Sequence, residues 1–421
     1  MQTSNLCILL IALLSIAGVI IRPFKIPEVI WAVSGAILLL IFRLIAPIEA
    51  WDSTLKGLDV YLFLLGMMML AETARNEGVF EWLAEIATKK AKGSAKSLFL
   101  LIYLVGVVVT ALMSNDATAV VLTPAVAAAV RSAGIKNSLP YLFICAFIAN
   151  AASFILPISN PANLVIYGSE LPGLMQWVPV FLLPSIVAVV TTFFILRFTQ
   201  RKQLTADISK SIQGIKLTKA GKVAAFGILF TSIVLMIASA CRVSLGVTTA
   251  IMGIATSTLV LIFARKRPTE VLKGISWSVV PLVAGLFILV GGVGKTGILE
   301  YLSEALSSRA QQSESITGFI AGTLAAFGCN LLNNLPAGLI VGHAVQAAHV
   351  SVTIKASVAI GIDLGPNLSL TGSLATILWL IAIRREGLNV SGWTFLKTGA
   401  LVMIPTLFAT LAAIYLVSVF L

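Results

Sequence analysis

The chain has 421 residues, 58% of them hydrophobic and only 11% charged, where soluble domains are about half apolar and a quarter charged. That balance excludes a soluble enzyme, and the apolar runs repeatedly reach the roughly 20 residues a spanning helix needs. The net charge of +12 does not indicate nucleic acid, because the Lys and Arg residues sit in short loops between apolar segments, without a basic stripe or interleaved aromatics.

The first apolar run, Leu6 to Ile21, has no basic residue before it and no small-residue cleavage site, so it reads as the first helix rather than a signal peptide. Further along, Gly66 to Glu85 (GMMMLAETARNEGVFEWLAE) aligns without gaps on Gly285 to Glu304 (GLFILVGGVGKTGILEYLSE), matching Gly66/Gly285, Gly78/Gly297, Glu81/Glu300, Leu83/Leu302 and Glu85/Glu304. At the same offset of 219 residues, Asn115 falls on Asn334. The chain is therefore duplicated, and duplication is common in transporters.

Between the copies, Arg197 to Lys222 carries seven Lys or Arg and only Asp207 as an acid. Placing this linker in the cytoplasm by the positive-inside rule divides the chain into a first repeat (1–196), the basic linker (197–222) and a second, inverted repeat (223–421). The expected fold is an all-α polytopic membrane protein with ten transmembrane helices, two re-entrant hairpins and two broken helices, both termini lying outside. The basic residues sort accordingly. Twenty-three fall inside, and only Arg43, Lys56, Arg242, Lys295, Arg309 and Lys355 fall outside.

Polar, Gly and Pro clusters at membrane depth mark backbone that lines an enclosed cavity, since lipid cannot satisfy freed backbone groups. Ser114-Asn115-Asp116 lies between apolar arms that end in Lys96 and Arg131, which describes a hairpin with its tip near the midplane. A counterpart runs from Ile316 to about Val350, with Asn330, Asn333, Asn334 and Pro336 at its tip. After each hairpin comes an overlong apolar run, broken at Pro157 to Asn163 in one copy and at Asp363 to Asn367 through Thr371-Gly372-Ser373 in the other. Two tips and two breaks in matching positions predict a substrate site at the repeat interface.

The motifs MSNDATAVVLTPAV (Met113 to Val126), ISNPANLVIYG (Ile158 to Gly168), NLLNNLPAGL (Asn330 to Leu339) and DLGPNLSLTGSLATILWL with the following RREG (Asp363 to Gly387) resemble those of the arsenical pump membrane proteins, arsenite efflux carriers of the ion transporter superfamily. The resemblance spans essentially the whole chain. It implies a bacterial or archaeal inner-membrane protein that exports arsenite and antimonite in exchange for protons, assisted in some members by a soluble arsenical pump ATPase. Sodium-coupled carriers of the wider superfamily carry paired Ser-Asn-Thr motifs at their tips. Here the tips read Ser-Asn-Asp and Asn-Asn-Leu, which argues against sodium coupling.

Arsenite near neutral pH is an uncharged trihydroxide, so its site needs groups that both donate and accept hydrogen bonds. Asn115, Asn160, Asn163, Asn333, Asn334, Asn367, Ser159 and Thr371 supply them, although each Asn can equally cap a half-helix. Proton exchange needs an acid within the membrane, and Asp116 and Asp363 are the only acids in the breaks. His343 and His349 lie well past their tip. Cys7, Cys145, Cys241 and Cys329 lack metal-ligand or redox spacing, so no metal site and no cofactor are expected. Gly291 to Thr296 imitates a phosphate-binding loop, but the required first glycine is Leu289 and no strand precedes it. The alternative readings are a sodium- or proton-coupled anion carrier on the same scaffold and a channel for neutral solutes.

Overall fold

The computed structural model describes residues 2–204 and 216–419, so part of the basic linker (205–215) lies outside the described residues. The first half contains α1 (Gln2–Ile21), α2 (Glu28–Ile41), α3 (Pro47–Lys56), α4 (Leu58–Asn76), α5 (Val79–Lys90), α6 (Ala95–Leu112), α7 (Asn115–Ala117), α8 (Thr123–Ser132), α9 (Leu139–Ala151), α10 (Pro161–Tyr167) and α11 (Leu174–Gln200). The second contains α12 (Lys219–Ala240), α13 (Leu245–Ala264), α14 (Pro268–Gly274), α15 (Val279–Gly294), α16 (Ile298–Gln312), α17 (Glu314–Leu332), α18 (Asn334–Ala347), α19 (Val352–Leu364), α20 (Leu374–Arg385) and α21 (Gly392–Ser418). Among the described residues there is no strand.

Among the described residues, eight helices are long and apolar enough to cross a membrane, or nine if α3 and α4, bent by 47° at Gly57, form one span. Their outer faces present Leu, Ile and Phe, as in Leu13, Leu182, Phe194, Phe230, Ile251 and Leu324. Such a surface suits lipid rather than water. Of the ten expected crossings, α1, α11, α12, α13, α15 (continuous with α14) and α21 are among the eight, and α4 joins them with α3; α2 and α9 are shorter apolar helices, and the remaining two of the eight, α6 and α17, are arms of the expected hairpins. The charged helices α5 and α16 connect spans in each half. Each begins after a glycine with positive φ, Gly78 (72°) and Gly297 (81°), a left-handed conformation that costs glycine nothing. Those two glycines were already paired in the sequence alignment.

The halves run in opposite directions, as hydrogen bonds and ion pairs at the helix ends establish. At the start of α4, Asp59 Oδ1 accepts from Ser244 Oγ and from Gly246 N (3.1 Å) at the start of α13. Beyond the far ends of the same helices, Lys266 Nζ meets Glu77 at 2.9 Å, so α4 and α13 are parallel. Yet α15, the repeat counterpart of α4, finishes at the end where α4 starts, with Lys295 Nζ 2.7 Å from Glu49 Oε2. The packing pairs exchange between halves in the same way, α4 against α13 and α15 against α2, while α11 lies on α21.

Both hairpins turn back on themselves. Tyr141 Oη, just past the second arm of the first hairpin, donates to Ala95 O at the start of its first arm (3.3 Å). In the second, Gly318 near the start of α17 lies against Ile354 near the start of α19. Lys96, Arg131, Glu386 and Lys266 therefore share one end of the molecule, the basic end. Glu49, Asp59, Lys295 and the Lys355–Glu170 pair (2.6 Å) occupy the other.

Candidate functional site

Four half-helices begin at the breaks, and each is capped by a small polar side chain. Ser114 Oγ accepts from Ala117 N (3.3 Å), Asn160 Oδ1 from Ala162 N (3.0 Å), Asn333 Oδ1 from Leu335 N (3.4 Å) and Ser373 Oγ from Thr376 N (3.1 Å). Such caps stabilise a helix start by about 1 kcal/mol each. The turn before α18 needs Asn333 at φ 69°, a left-handed conformation that asparagine tolerates better than most residues. Past the first tip, the chain passes through a π-helical turn, Thr118–Leu122, before α8.

All four starts face one cavity of about 40 Å³, lined by Asn115, Asp116, Asn160, Pro161, Asn333, Asn334, Leu335 and Leu374 and closed by Val19, Leu64, Val283 and Leu286. A water occupies about 10–15 Å³ on this measure, so the chamber suits about three hydroxyl-sized groups. Helix starts carry partial positive charge, up to about half a unit for a full helix, and the Asp116 carboxylate sits among them. Among the described residues no side chain hydrogen-bonds that carboxylate. Asn115 Oδ1 instead accepts from the Asp116 backbone N–H (2.9 Å).

The other nominated residues lie behind the lining. Ser159 Oγ donates to Ala111 O (2.9 Å), Asn163 Nδ2 to Ser153 O (3.1 Å), and Asn367 Nδ2 to Phe147 O (3.0 Å). The Thr371 carbonyl accepts from Asn333 Nδ2 (3.2 Å). Asp363 is fully buried and does not reach the chamber. Its Oδ1 accepts from Asn160 Nδ2 at 2.7 Å, which joins the two halves through one amide of the lining. Ser153 is also close to Asp363, but its hydroxyl donates to Asn150 O (2.7 Å). Asp363 Oδ2 and the Tyr167 hydroxyl are both buried without a hydrogen-bond partner among the described residues.

Each hairpin is tied to the broken helix of its own half. In the first, Ser159 supplies the tie. In the second, Asn330 Nδ2 donates to Gly365 O (2.9 Å), Ser369 Oγ to Asn330 Oδ1 (2.6 Å), and Asn334 N to Gly372 O (2.8 Å). Asn150 then crosses between halves, donating to Asn367 Oδ1 at 2.9 Å. Asn150 sits in the middle of an apolar run, FICAFIANAASF, and gave no signal in the sequence.

The chamber opens toward one end only. Toward the basic end it continues into a cavity of about 220 Å³, sharing Glu28, Leu64, Asp116, Pro161, Val279, Leu282 and Leu374, and reaching Arg22, Glu72 and Gly274. At the other end, a vestibule of about 930 Å³ lined by Glu49, Asp52, Lys56, Lys295 and His343 shares no lining residue with the chamber. Between them α10 packs on α18. A Cβ on Gly342 would stand 2.8 Å from Ile166 Cα, and Gln346 Nε2 donates to Ile166 O at 2.8 Å. Cys145 and Cys329 are buried and line neither cavity.

Three charged residues of the pathway, Arg22, Glu28 and Glu72, lie outside the four breaks. Glu28 lines both the chamber and its mouth, and Arg22, at the mouth, forms an ion pair with it. Arg22 and Glu28 flank the short connection Pro23 to Pro27, which reads in sequence as an ordinary interfacial loop.

A small chamber in which a few polar side chains and helix starts from two inverted repeats converge within a largely apolar lining, continuous with a cavity toward one end, defines a secondary transporter rather than an enzyme. The chain belongs to the citrate transporter family, CitMHS, whose pattern matches residues 11–363. It is 30% identical to the arsenical pump membrane protein of Yersinia enterocolitica over 378 residues, covering 87% of this chain and 86% of that one. The arsenical pump membrane protein of Escherichia coli strain K12 is 28% identical over 400 residues, covering 91% and 92%. In fold, the chain is similar to the Alcanivorax borkumensis YdaH transporter, whose crystal structure is described as having an unusual topology. That match has a TM-score of 0.57 at 12% identity and covers 88% of this chain and 87% of that one.

Proposed function

We propose that this transporter exports arsenite and antimonite in exchange for protons by alternating access. The observation that carries the reading is the set of polar groups in the chamber: four asparagine side chains and the carboxylates of Asp116 and Glu28, with no Lys or Arg, in an otherwise apolar space for about three hydroxyl groups. An uncharged trihydroxide can donate to and accept from Asn115, Asn160, Asn333 and Asn334 together. The names of the relatives from Yersinia enterocolitica and Escherichia coli support the same substrate class.

Asp116 takes the proton, because it alone of the two nominated acids lines both the chamber and its mouth. Asp363 orients Asn160. Protonation of Asp116 and occupation by arsenite exclude one another, which is the condition for exchange. By the positive-inside rule the basic end is cytoplasmic, so the chamber faces inward, the linker 197–222 lies in the cytoplasm and both termini lie outside. Repeats 1–196 and 223–421 each contribute one hairpin and one broken helix. The cross-bonds through Asn150 and Asn160 make these four elements move as one body.

The second reading, an anion carrier, is favoured by the family's name and by the helix starts around the chamber, which can hold a carboxylate without Arg or Lys. Thermal shift of the purified protein with arsenite, citrate, sulfate and sodium separates the two. Stabilisation by arsenite alone is expected, and stabilisation by citrate with none by arsenite refutes the proposal. Export that survives a protonophore unchanged would instead indicate a neutral-solute channel.

A further inference from the structure

We propose that Glu28 makes this pathway reject anions by neutralising Arg22, the one cation that faces the route to the chamber among the described residues. The inference rests on the reading of the substrate as neutral and adds to it the residue that sets that selectivity.

Four charged side chains line the mouth: Arg22, Glu28, Glu72 and Asp116. Glu72 is already held by Arg75, whose Nε donates to Glu72 Oε2 at 2.8 Å. From α1 and α15, the helices packed on α2, no further charged side chain lines the mouth. Arg22 therefore has Glu28 as its partner. Both are largely shielded from solvent, at 23% and 19% side-chain exposure, so the charge of either would act at long range if it stood alone. Two nitrogens of the Arg22 guanidinium, Nε and Nη2, are buried with no hydrogen-bond partner among the described residues, so Glu28 is the one group that offsets its charge.

Position adds the second half of the argument. Glu28 reaches the chamber itself, whereas Arg22 stops at the mouth. An anion entering from the basic end meets the guanidinium first, but finds it compensated, and then meets two carboxylates, Glu28 and Asp116. A neutral trihydroxide feels neither. Without the Glu28 charge, the Arg22 guanidinium stands uncompensated at the outer part of the passage, ahead of Asp116 and the chamber. Unscreened charge in a low-dielectric cleft raises the local concentration of counter-ions by about tenfold or more.

The test is calorimetric binding of citrate and of sulfate to the purified full chain in detergent, where both ends are accessible. Glu28→Gln is expected to bind citrate at least about tenfold more tightly than the wild type. Glu28→Asp should behave as the wild type, and Arg22→Gln/Glu28→Gln should lose the gain. A purely structural role for Glu28 would lower stability in both Gln variants without this split. If Glu28→Gln does not assemble, Glu28→Ala makes the same comparison. Equal citrate affinity in the wild type and the Glu28 variants, or a gain that persists without Arg22, overturns the inference. Arsenite binding is titrated in parallel: its absence from the wild type refutes the substrate reading, while the citrate comparison still decides the role of Glu28.

Discussion

Replacing Asp116 by Asn should uncouple transport while leaving the chamber's shape intact. The two side chains have nearly the same volume, and among the described residues the Asp116 carboxylate makes no hydrogen bond that an amide would break. Glu28, the other carboxylate of the chamber, is paired with Arg22 and cannot substitute. Exchange of one proton for one neutral molecule moves one charge, worth about 2.3 kcal/mol per 100 mV. At about 1.4 kcal/mol per tenfold, that supports an arsenite gradient of roughly fiftyfold. The assay is accumulation of radiolabelled arsenite in proteoliposomes under an imposed potential of about 100 mV, the value at which this arithmetic applies. Wild-type protein should approach that ratio, and Asp116→Asn, which holds the side chain in its neutral form, should show no potential-driven accumulation. Accumulation by the variant at the wild-type level would refute the coupling role, and the same loss in Asp363→Asn alone would transfer it to Asp363.

Removing the Asp363 carboxylate as Asp363→Ala leaves Asn160 Nδ2 buried without its acceptor, which should cost about 1–3 kcal/mol. Asp363→Asn keeps an oxygen in place and should cost less, as thermal unfolding in detergent will read. Gly342→Val puts a side chain where a Cβ already lies 2.8 Å from Ile166 Cα, so it should pry α10 from α18. A cysteine at Leu335 should then react with an impermeant maleimide from both ends, whereas without the valine it reacts from the basic end only. Replacing Cys7, Cys145, Cys241 and Cys329 together should leave arsenite transport intact, since neither buried cysteine reaches the cavities; loss of transport would show that a thiolate binds the metalloid.

The breaks were legible because lipid leaves no alternative. A run such as ISNPANLV at membrane depth must be enclosed, and the offset that places Asn115 on Asn334 locates where enclosure occurs. The rotation of a side chain about its helix was not legible. Asn160 and Asn163 are three residues apart, yet Asn160 lines the chamber and Asn163 turns to backbone carbonyls of its own break. Asn150 was hidden in an apolar run because its acceptors come from the other half, more than two hundred residues away. Arg22 and Glu28 escaped for a related reason. A charge beside proline at a helix end is ordinary in any membrane protein, and only tertiary packing turns this one toward the pathway.

The seam between α10 and α18 has a symmetry mate. In the first hairpin's territory, α20 lies beside the Thr118–Leu122 turn, and this second seam borders the mouth that stands open. On the alternating-access reading proposed above, each half would adopt the backbone of the other, so that the tight seam loosens while the loose one shuts. Gly342 would then line a passage, and Val120 and Val121, now at the mouth, would become the plug.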